Sequence, residues 1–342
     1  MPPAAPLPVI VVTGALGVGK TTAIAAALAA KPAAEKWVVI LNEFTDSGID
    51  VLTVAGAARG EFDVRLVAGG CLCCVGAEDY GRTLESFVRG ARPARLYIEP
   101  SGLGAPGLVL DELLAYEARG EIDLVAVVAL VDARRLDELS VAGTARDQVE
   151  AADVVLLARA DAATAEDRTR FEAFCAGLYP PRRLIGECHH GQLPEPLGAG
   201  RTAGDSAPAG ESSVPATSWR RDERPVPGGA RRAGADRAHV LGRDALAFRY
   251  PRSVAFDEDR LLAALGGEPL LAGVERLKGV FRVGPETWQL VQRVGGEVSV
   301  RPSSWRRDSR VELLARDGVR LDRASLAQFW RSVAARTAAD RR

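Results

Sequence analysis

The 342 residues are 47% hydrophobic and carry 44 basic against 45 acidic side chains, with no block of like charge. The length exceeds the usual single domain and allows a large core, while the charge balance argues against a nucleic-acid or membrane-surface partner. Three of the five cysteines crowd into Cys71, Cys73 and Cys74, which is no disulfide framework for a chain of this size.

In chain order, the first eight residues lack a charged start and a long apolar run. No signal peptide or membrane span is expected, and the cytoplasm is the expected compartment. Val9-Ile10-Val11-Val12 predicts a short strand running into a glycine-rich turn and an alanine-rich helix over about 20–30. Gly14, Gly19, Lys20 and Thr21 satisfy G-x-x-x-x-G-K-[ST], with a further glycine at 17. Glycines let backbone N–H groups turn toward phosphate oxygens, the lysine reaches the terminal phosphates, and the threonine hydroxyl holds Mg²⁺. Gly14, Leu16, Gly17, Val18, Gly19, Lys20, Thr21 and Thr22 are therefore the expected binding residues for the phosphates of a nucleoside triphosphate.

Trp37 to Leu41 is a fully apolar run that ends at Asn42-Glu43-Phe44. Further apolar runs follow at 64–67, 96–98, 125–131 and 154–157, with helix-like stretches between most of them. This alternation predicts a doubly wound, mostly parallel α/β sheet. The expected strand ends carry Thr13-Gly14, Asn42-Glu43, Gly69-Gly70-Cys71, Glu99-Pro100-Ser101-Gly102, Asp132 and Asp161, and open α/β sheets bind ligands along that edge. Downstream of a phosphate loop, Glu99 fits a carboxylate that holds Mg²⁺ through water, and Gly102 an N–H that senses the γ-phosphate. Gly70-Cys71-Leu72-Cys73-Cys74 places three thiols where a turn can converge them on one soft cation. Zn²⁺ there needs a fourth ligand or water.

From Gly186 the composition shifts to Gly, Pro, Ser, Ala and Arg, and residues 186–240 are expected to form a flexible linker between a nucleotide-binding domain over 1–185 and a small α+β domain over 241–342. Cys188-His189-His190 opens that linker and is a weak compositional cue for metal. In the last domain, strands are expected at 245–250, 274–283, 287–294, 297–301 and 311–315, and helices near 257–265 and 322–335. Gly295-Gly296 signals a hairpin. Trp288, Trp305 and Trp330 read as core or interface aromatics, because no basic stripe accompanies them.

Taken together, Thr13 to Thr22, Asn42-Glu43-Phe44 with Gly48-Ile49-Asp50, Gly70-Cys71-Leu72-Cys73-Cys74, Glu99 to Leu103, Val131-Asp132-Ala133, Gln148 with Ala152-Asp153, and Arg276-Leu277-Lys278-Gly279 resemble the CobW-like P-loop GTPases. That family consists of metal-trafficking GTPases related to the nickel-insertion GTPases. The resemblance implies a Mg²⁺-dependent GTP hydrolase with Lys20, Glu99 and Gly102 in catalysis. It also implies Zn²⁺ or Co²⁺ carried on Cys71, Cys73, Cys74 and Glu43, and delivery to a client metalloprotein, with a homodimer left open. Where the family has N-K-x-D, this chain has Ala158-Arg159-Ala160-Asp161. Asp161 still offers a carboxylate to guanine N–H groups and Arg159 a plane to stack on the base, while the contact from asparagine is missing. Two other readings stay open: a nucleotide-gated metal sensor or storage protein with negligible hydrolysis, and a small-molecule kinase.

Overall fold

A computed structural model describes residues 5–43, 62–68, 77–101, 106–139, 143–194, 197, 234–240, 243–294 and 296–334. The chain divides into two compact units, Met1–Val214 and Pro215–Arg342.

The first unit is built on a seven-stranded sheet of β1 (Leu7–Gly14), β2 (Trp37–Glu43), β3 (Phe62–Ala68), β4 (Arg95–Glu99), β5 (Ile122–Val131), β6 (Val154–Ala158) and β7 (Leu184–Cys188), in the order β3-β2-β4-β1-β5-β6-β7. Every pairing is parallel. Central strands are buried on both faces, so they read as continuous apolar runs such as Val9-Ile10-Val11-Val12 and Val154-Val155-Leu156-Leu157. One face packs under α2 (Ala77–Glu85), α3 (Gly107–Ala118), α4 (Thr144–Ala151) and α5 (Ala165–Ala176), through Tyr80, Leu84, Leu110, Leu113, Val149 and Phe171. The other face is covered by α1 (Lys20–Ala30), through Ala23, Ile24, Ala27 and Leu28, together with Leu193 and Leu197. This is the expected doubly wound α/β architecture.

Two elements fall inside the stretch expected to be linker. β7 carries the sheet past residue 186, pairing Gly186 with Leu156 and Cys188 with Ala158. The Tyr97 hydroxyl then donates to the Leu197 carbonyl over 2.9 Å, so packing against the sheet continues to Leu197. As an edge strand that is only half-buried over four of its five residues, β7 carries glycine and glutamate and shows no apolar run. The other element is β8 (Gly234–Val240), whose sequence GADRAHV has no period-two alternation.

The second unit is a six-stranded antiparallel sheet, ordered β12-β11-β10-β13-β9-β8, with β9 (Arg243–Pro251), β10 (Val274–Arg282), β11 (Trp288–Val294), β12 (Glu297–Pro302) and β13 (Asp308–Ala315). One face carries α6 (Glu258–Gly267) and α7 (Arg323–Val333), each started by an aspartate, Asp257 or Asp322, whose carboxylate accepts from backbone N–H groups of the first turn. Between sheet and helices, Tyr250, Phe256, Phe281 and Trp330 form a run of ring contacts at 5.3, 5.0 and 5.4 Å between centroids. Trp288, Trp305 and Trp330 are all buried.

Two cysteines are locked into the first unit's core. Burial pushes the Cys175 thiol up to about 12 and the Cys188 thiol up to about 11, so at pH 8 the Cys188 thiolate is about a thousandth of the population. At most three of the five thiols are expected to react with Ellman's reagent in the native, metal-free protein at pH 8. Cys175 and Cys188 should follow only in denaturant, as read by titration with peptide mapping. Rapid native labelling of either would contradict this packing.

Candidate functional site

The loop between β1 and α1 is fixed by close approach. At Gly14, φ is +137°, and a Cβ there would sit 2.5 Å from the Leu130 carbonyl oxygen on β5; no other residue fits. Gly17 and Gly19 take φ of +73° and +104°. Val18 is buried in the core beneath the loop, while Leu16 at the apex is 62% exposed. The loop is thus pinned from below with its upper rim open. Lys20 opens α1 and its side chain is buried; Nζ donates to the carbonyls of Gly14 at 3.1 Å and Ala15 at 3.2 Å. Those carbonyls hold the ammonium at the loop's own rim, beside the helix N-terminus where an anion is favoured.

At the second residue of α1, the Thr21 hydroxyl lies 3.1 and 3.0 Å from the two Glu99 carboxylate oxygens. Glu99 ends β4, the strand beside β1, and is itself buried. A hydroxyl and a carboxylate converging beside a phosphate loop are hard oxygen donors of the kind Mg²⁺ takes, so these residues fit the ion. Gly102 lies outside the described residues, as do Cys71, Cys73 and Cys74. Glu43 is described by its backbone alone, as the last residue of β2. In the ladder Leu41 stands opposite Glu99 and Glu43 opposite Ala68. The backbone entering the cysteine stretch therefore leaves the sheet at the edge that carries Glu99.

On the opposite side of β1, the ends of β5 and β6 grip the loop from outside. The Arg159 guanidinium donates to the Gly17 carbonyl at 2.7 Å and to Asp132 at 3.2 Å. Arg135 donates to the Leu16 carbonyl at 2.9 Å and pairs with Glu138. Arg159 adopts φ of +54° to do this. Burial works against the Asp132 charge, but hydrogen bonds from the Arg134 side chain and backbone, with the Arg134 and Arg159 charges, hold its carboxyl below the usual range.

Asp161 sits in the turn after β6, where the His190 backbone N–H donates to it at 3.0 Å. That bond is the main reason its pKa is lowered. The turn His189–Gln192 that supplies the N–H is closed by Gln192 donating to the His189 carbonyl at 2.8 Å. Its Gly191, at φ +77°, lies so close to α1 that a Cβ would meet the Thr22 carbonyl oxygen at 3.0 Å. Arg168 on α5 braces the same region, donating to the carbonyls of Ala160 and Ala163 and pairing with Glu187 at 2.7 Å. Cys188 is buried and His189 lies 2.7 Å from Glu187. Among the described residues no three His, Cys, Asp or Glu side chains gather as a metal site. His189 to Gln192 form the turn that stands beside Asp161.

The structure brings Thr21 and Glu99 together next to Lys20 on the loop, and Arg159 and Asp161 lie on its far flank. Arg135, Arg168 and the His190 N–H were not legible. An arginine in a turn or on a helix reads as a solvated charge, and a backbone donor leaves no residue-type signal at all.

Residues 8–182 match the CobW/HypB/UreG nucleotide-binding domain, and residues 246–334 the cobalamin synthesis protein cobW C-terminal domain. The chain is 32% identical over 328 residues to the zinc chaperone YeiR of Escherichia coli, covering 89% of this chain and 92% of that protein. It is 32% identical over 229 residues to the zinc chaperone CobW of Pseudomonas aeruginosa, covering 58% of this chain and 61% of the other. Among solved structures it aligns with the Zn(II)-bound YjiA GTPase of E. coli at 19% identity and a TM-score of 0.43, over 96% of this chain and 99% of that one. With both domains matched in order and a relative spanning most of its length, the chain belongs to the CobW/HypB/UreG family.

Proposed function

We propose that this protein is a Mg²⁺-dependent GTP hydrolase that carries a transition metal, Zn²⁺ or Co²⁺, and hands it to a client metalloprotein under control of the bound nucleotide. The observation that carries the reading is the Thr21–Glu99 contact beside the Lys20 loop, an arrangement suited to a metal-bound triphosphate. Membership of a family whose relatives are named zinc chaperones supports the cargo.

In this reading Lys20 exchanges the carbonyls of Gly14 and Ala15 for phosphate oxygens, and the backbone of Gly14 to Thr22 cradles the phosphates. Thr21 and, through water, Glu99 would hold Mg²⁺, whose charge would offset that developing on the phosphates. Arg159 and Arg135 keep the loop from opening outward by holding the Gly17 and Leu16 carbonyls, and Arg159 also presents its plane to the base. Asp161 accepts the guanine N–H donors with an orientation fixed by His190. The cargo rests on Cys71, Cys73, Cys74 and Glu43, and Asn42 to Asp50, which lie in the sequence between the phosphate loop and the cysteines, take the position of a segment ordered by γ-phosphate.

Lys20→Ala should weaken triphosphate binding by about 3 kcal/mol, roughly a hundredfold, and remove hydrolysis, measured by calorimetry and phosphate release. Unchanged turnover would remove the loop from the mechanism. Thr21→Ala should appear instead as a raised Mg²⁺ requirement at near-normal nucleotide affinity in saturating Mg²⁺.

The Co²⁺-loaded protein should show a thiolate-to-metal charge-transfer band at one ion per chain, lost in the triple serine variant of Cys71, Cys73 and Cys74 while GTP binding survives. Persistence of the band in that variant would put the metal elsewhere.

Preference for GTP over ATP should fall by about 1–3 kcal/mol in Asp161→Ala, since one acceptor of the guanine edge is removed. Competition binding with GTP, ATP and inosine triphosphate reads this directly. Equal affinity for GTP and ATP, unchanged by the substitution, would show that Asp161 does not read the base.

A further inference from the structure

The second unit ends its sheet on an unusual edge. β12 pairs with β11 alone among the described residues, and all six of its residues, Glu297–Pro302, are exposed. Eight large hydrophobic side chains stand exposed among the described residues, and three of them, Val294, Val298 and Val300, belong to this one hairpin. Register sets the faces. Val300 lies opposite Val291, a core residue, so Val298 and Val300 share the face covered by α6 and α7. Glu297, Ser299 and Arg301 lie on the other face.

An exposed edge strand is a template for another strand, and proteins commonly blunt it with charge or proline. Here the charges are of opposite sign and are placed symmetrically about Ser299. If a second copy runs antiparallel with Ser299 opposite Ser299, Glu297 of each copy faces Arg301 of the other, and Val298 of each faces Val300 of the other. Registers centred on Val298 or Val300 lose both charge pairs. A register shifted by one residue puts the helix-bearing faces of the two copies on opposite sides and exposes one valine row to the wrong layer. Only the Ser299-centred register keeps the layers aligned and the charges paired.

We propose that β12 is a self-pairing edge through which two copies of this chain form a two-fold dimer, joining their C-terminal sheets into one continuous antiparallel sheet. The contact is isologous, so it closes at two copies and leaves no free β12 edge for further growth. Backbone hydrogen bonds supply the attachment, and cross-strand pairs select the register.

The test is sedimentation equilibrium of the full chain, free of nucleotide and metal, over a wide concentration range. Wild type should dimerise reversibly. Glu297→Arg and Arg301→Glu each place two like-charge pairs across the axis and should each weaken the dimer by about tenfold or more. Mixing the two variants, or combining both changes in one chain, restores opposite charges at every pair and should restore the dimer. Val300→Pro removes an N–H that points away from β11, since Ser303, Arg301 and Ser299 are the residues that bond to β11, and should leave monomers. Circular dichroism on each variant monitors folding, and should Val300→Pro fail to fold, the mixed charge variants carry the test alone. A monomeric wild type, a dimer indifferent to all of these changes, or failure of the mixture to recover would each overturn the proposal.

Discussion

The hydrogen bonds from Thr21 to the two oxygens of Glu99 join the start of α1 to the end of β4, and much of the first unit serves to keep those two ends in register. β4 and β1 are adjacent and parallel, with Val9 opposite Leu96 and Val11 opposite Ile98. Both strands therefore finish on the same edge within one side-chain length. Gly14 then turns the chain over the backbone of β5, where even a Cβ would collide with the Leu130 carbonyl. The buried sheet makes the geometry stiff: neither strand can slide without moving its apolar residues out of two packed faces.

Strand order gives the site its two sides. Moving from β1 through β4 to β2 and β3, the edge carries Glu99, then the end of β2 at Glu43, then the entrance to the cysteine stretch after Ala68. Moving the other way through β5, β6 and β7, it carries Asp132, Arg159 with Asp161, and the His190 turn. In the proposed reading, the nucleotide's charged end and its base would fall on different halves of the sheet, which would separate reading the base from sensing the γ-phosphate. The arm toward the base is tied to the phosphate loop by Arg135 and Arg159, so a distortion of the base-side turns reaches the loop through two guanidinium contacts.

What the sequence made legible follows the strength of the local physics. Buried parallel strands and the glycine-lysine loop leave unmistakable patterns, because full burial demands apolar runs and phosphate binding demands N–H groups at positions only glycine tolerates. The same reasoning singled out Lys20, Thr21 and Glu99, of which the structure brings Thr21 and Glu99 into contact, and anticipated the antiparallel pairing of β11 with β12. β7 and β8 escaped because edge strands are half-solvated and need no apolar alternation. The turn at His189–Gln192 escaped for a different reason. There a backbone N–H holds Asp161 and a glycine permits contact with α1, and neither leaves a residue-type signal. Arg135 acts on a backbone carbonyl brought near by tertiary structure, at a sequence separation of 119 from Leu16, and no local pattern encodes that; Arg168 reaches carbonyls only five and eight residues back, where an arginine on a helix gives no residue-type signal.

The central claim is that nucleotide state sets how tightly the cysteine arm holds its metal. The most direct test is the Zn²⁺ affinity of the full chain, measured by competition with a chromophoric chelator, with Mg²⁺ and either a non-hydrolysable GTP analogue or GDP bound. The account predicts affinities that differ by roughly 5- to 150-fold between the two states, a coupling of about 1–3 kcal/mol, with Zn²⁺ shifting the affinity for the GTP analogue relative to GDP by the same factor. Equal Zn²⁺ affinity in both nucleotide states would contradict it.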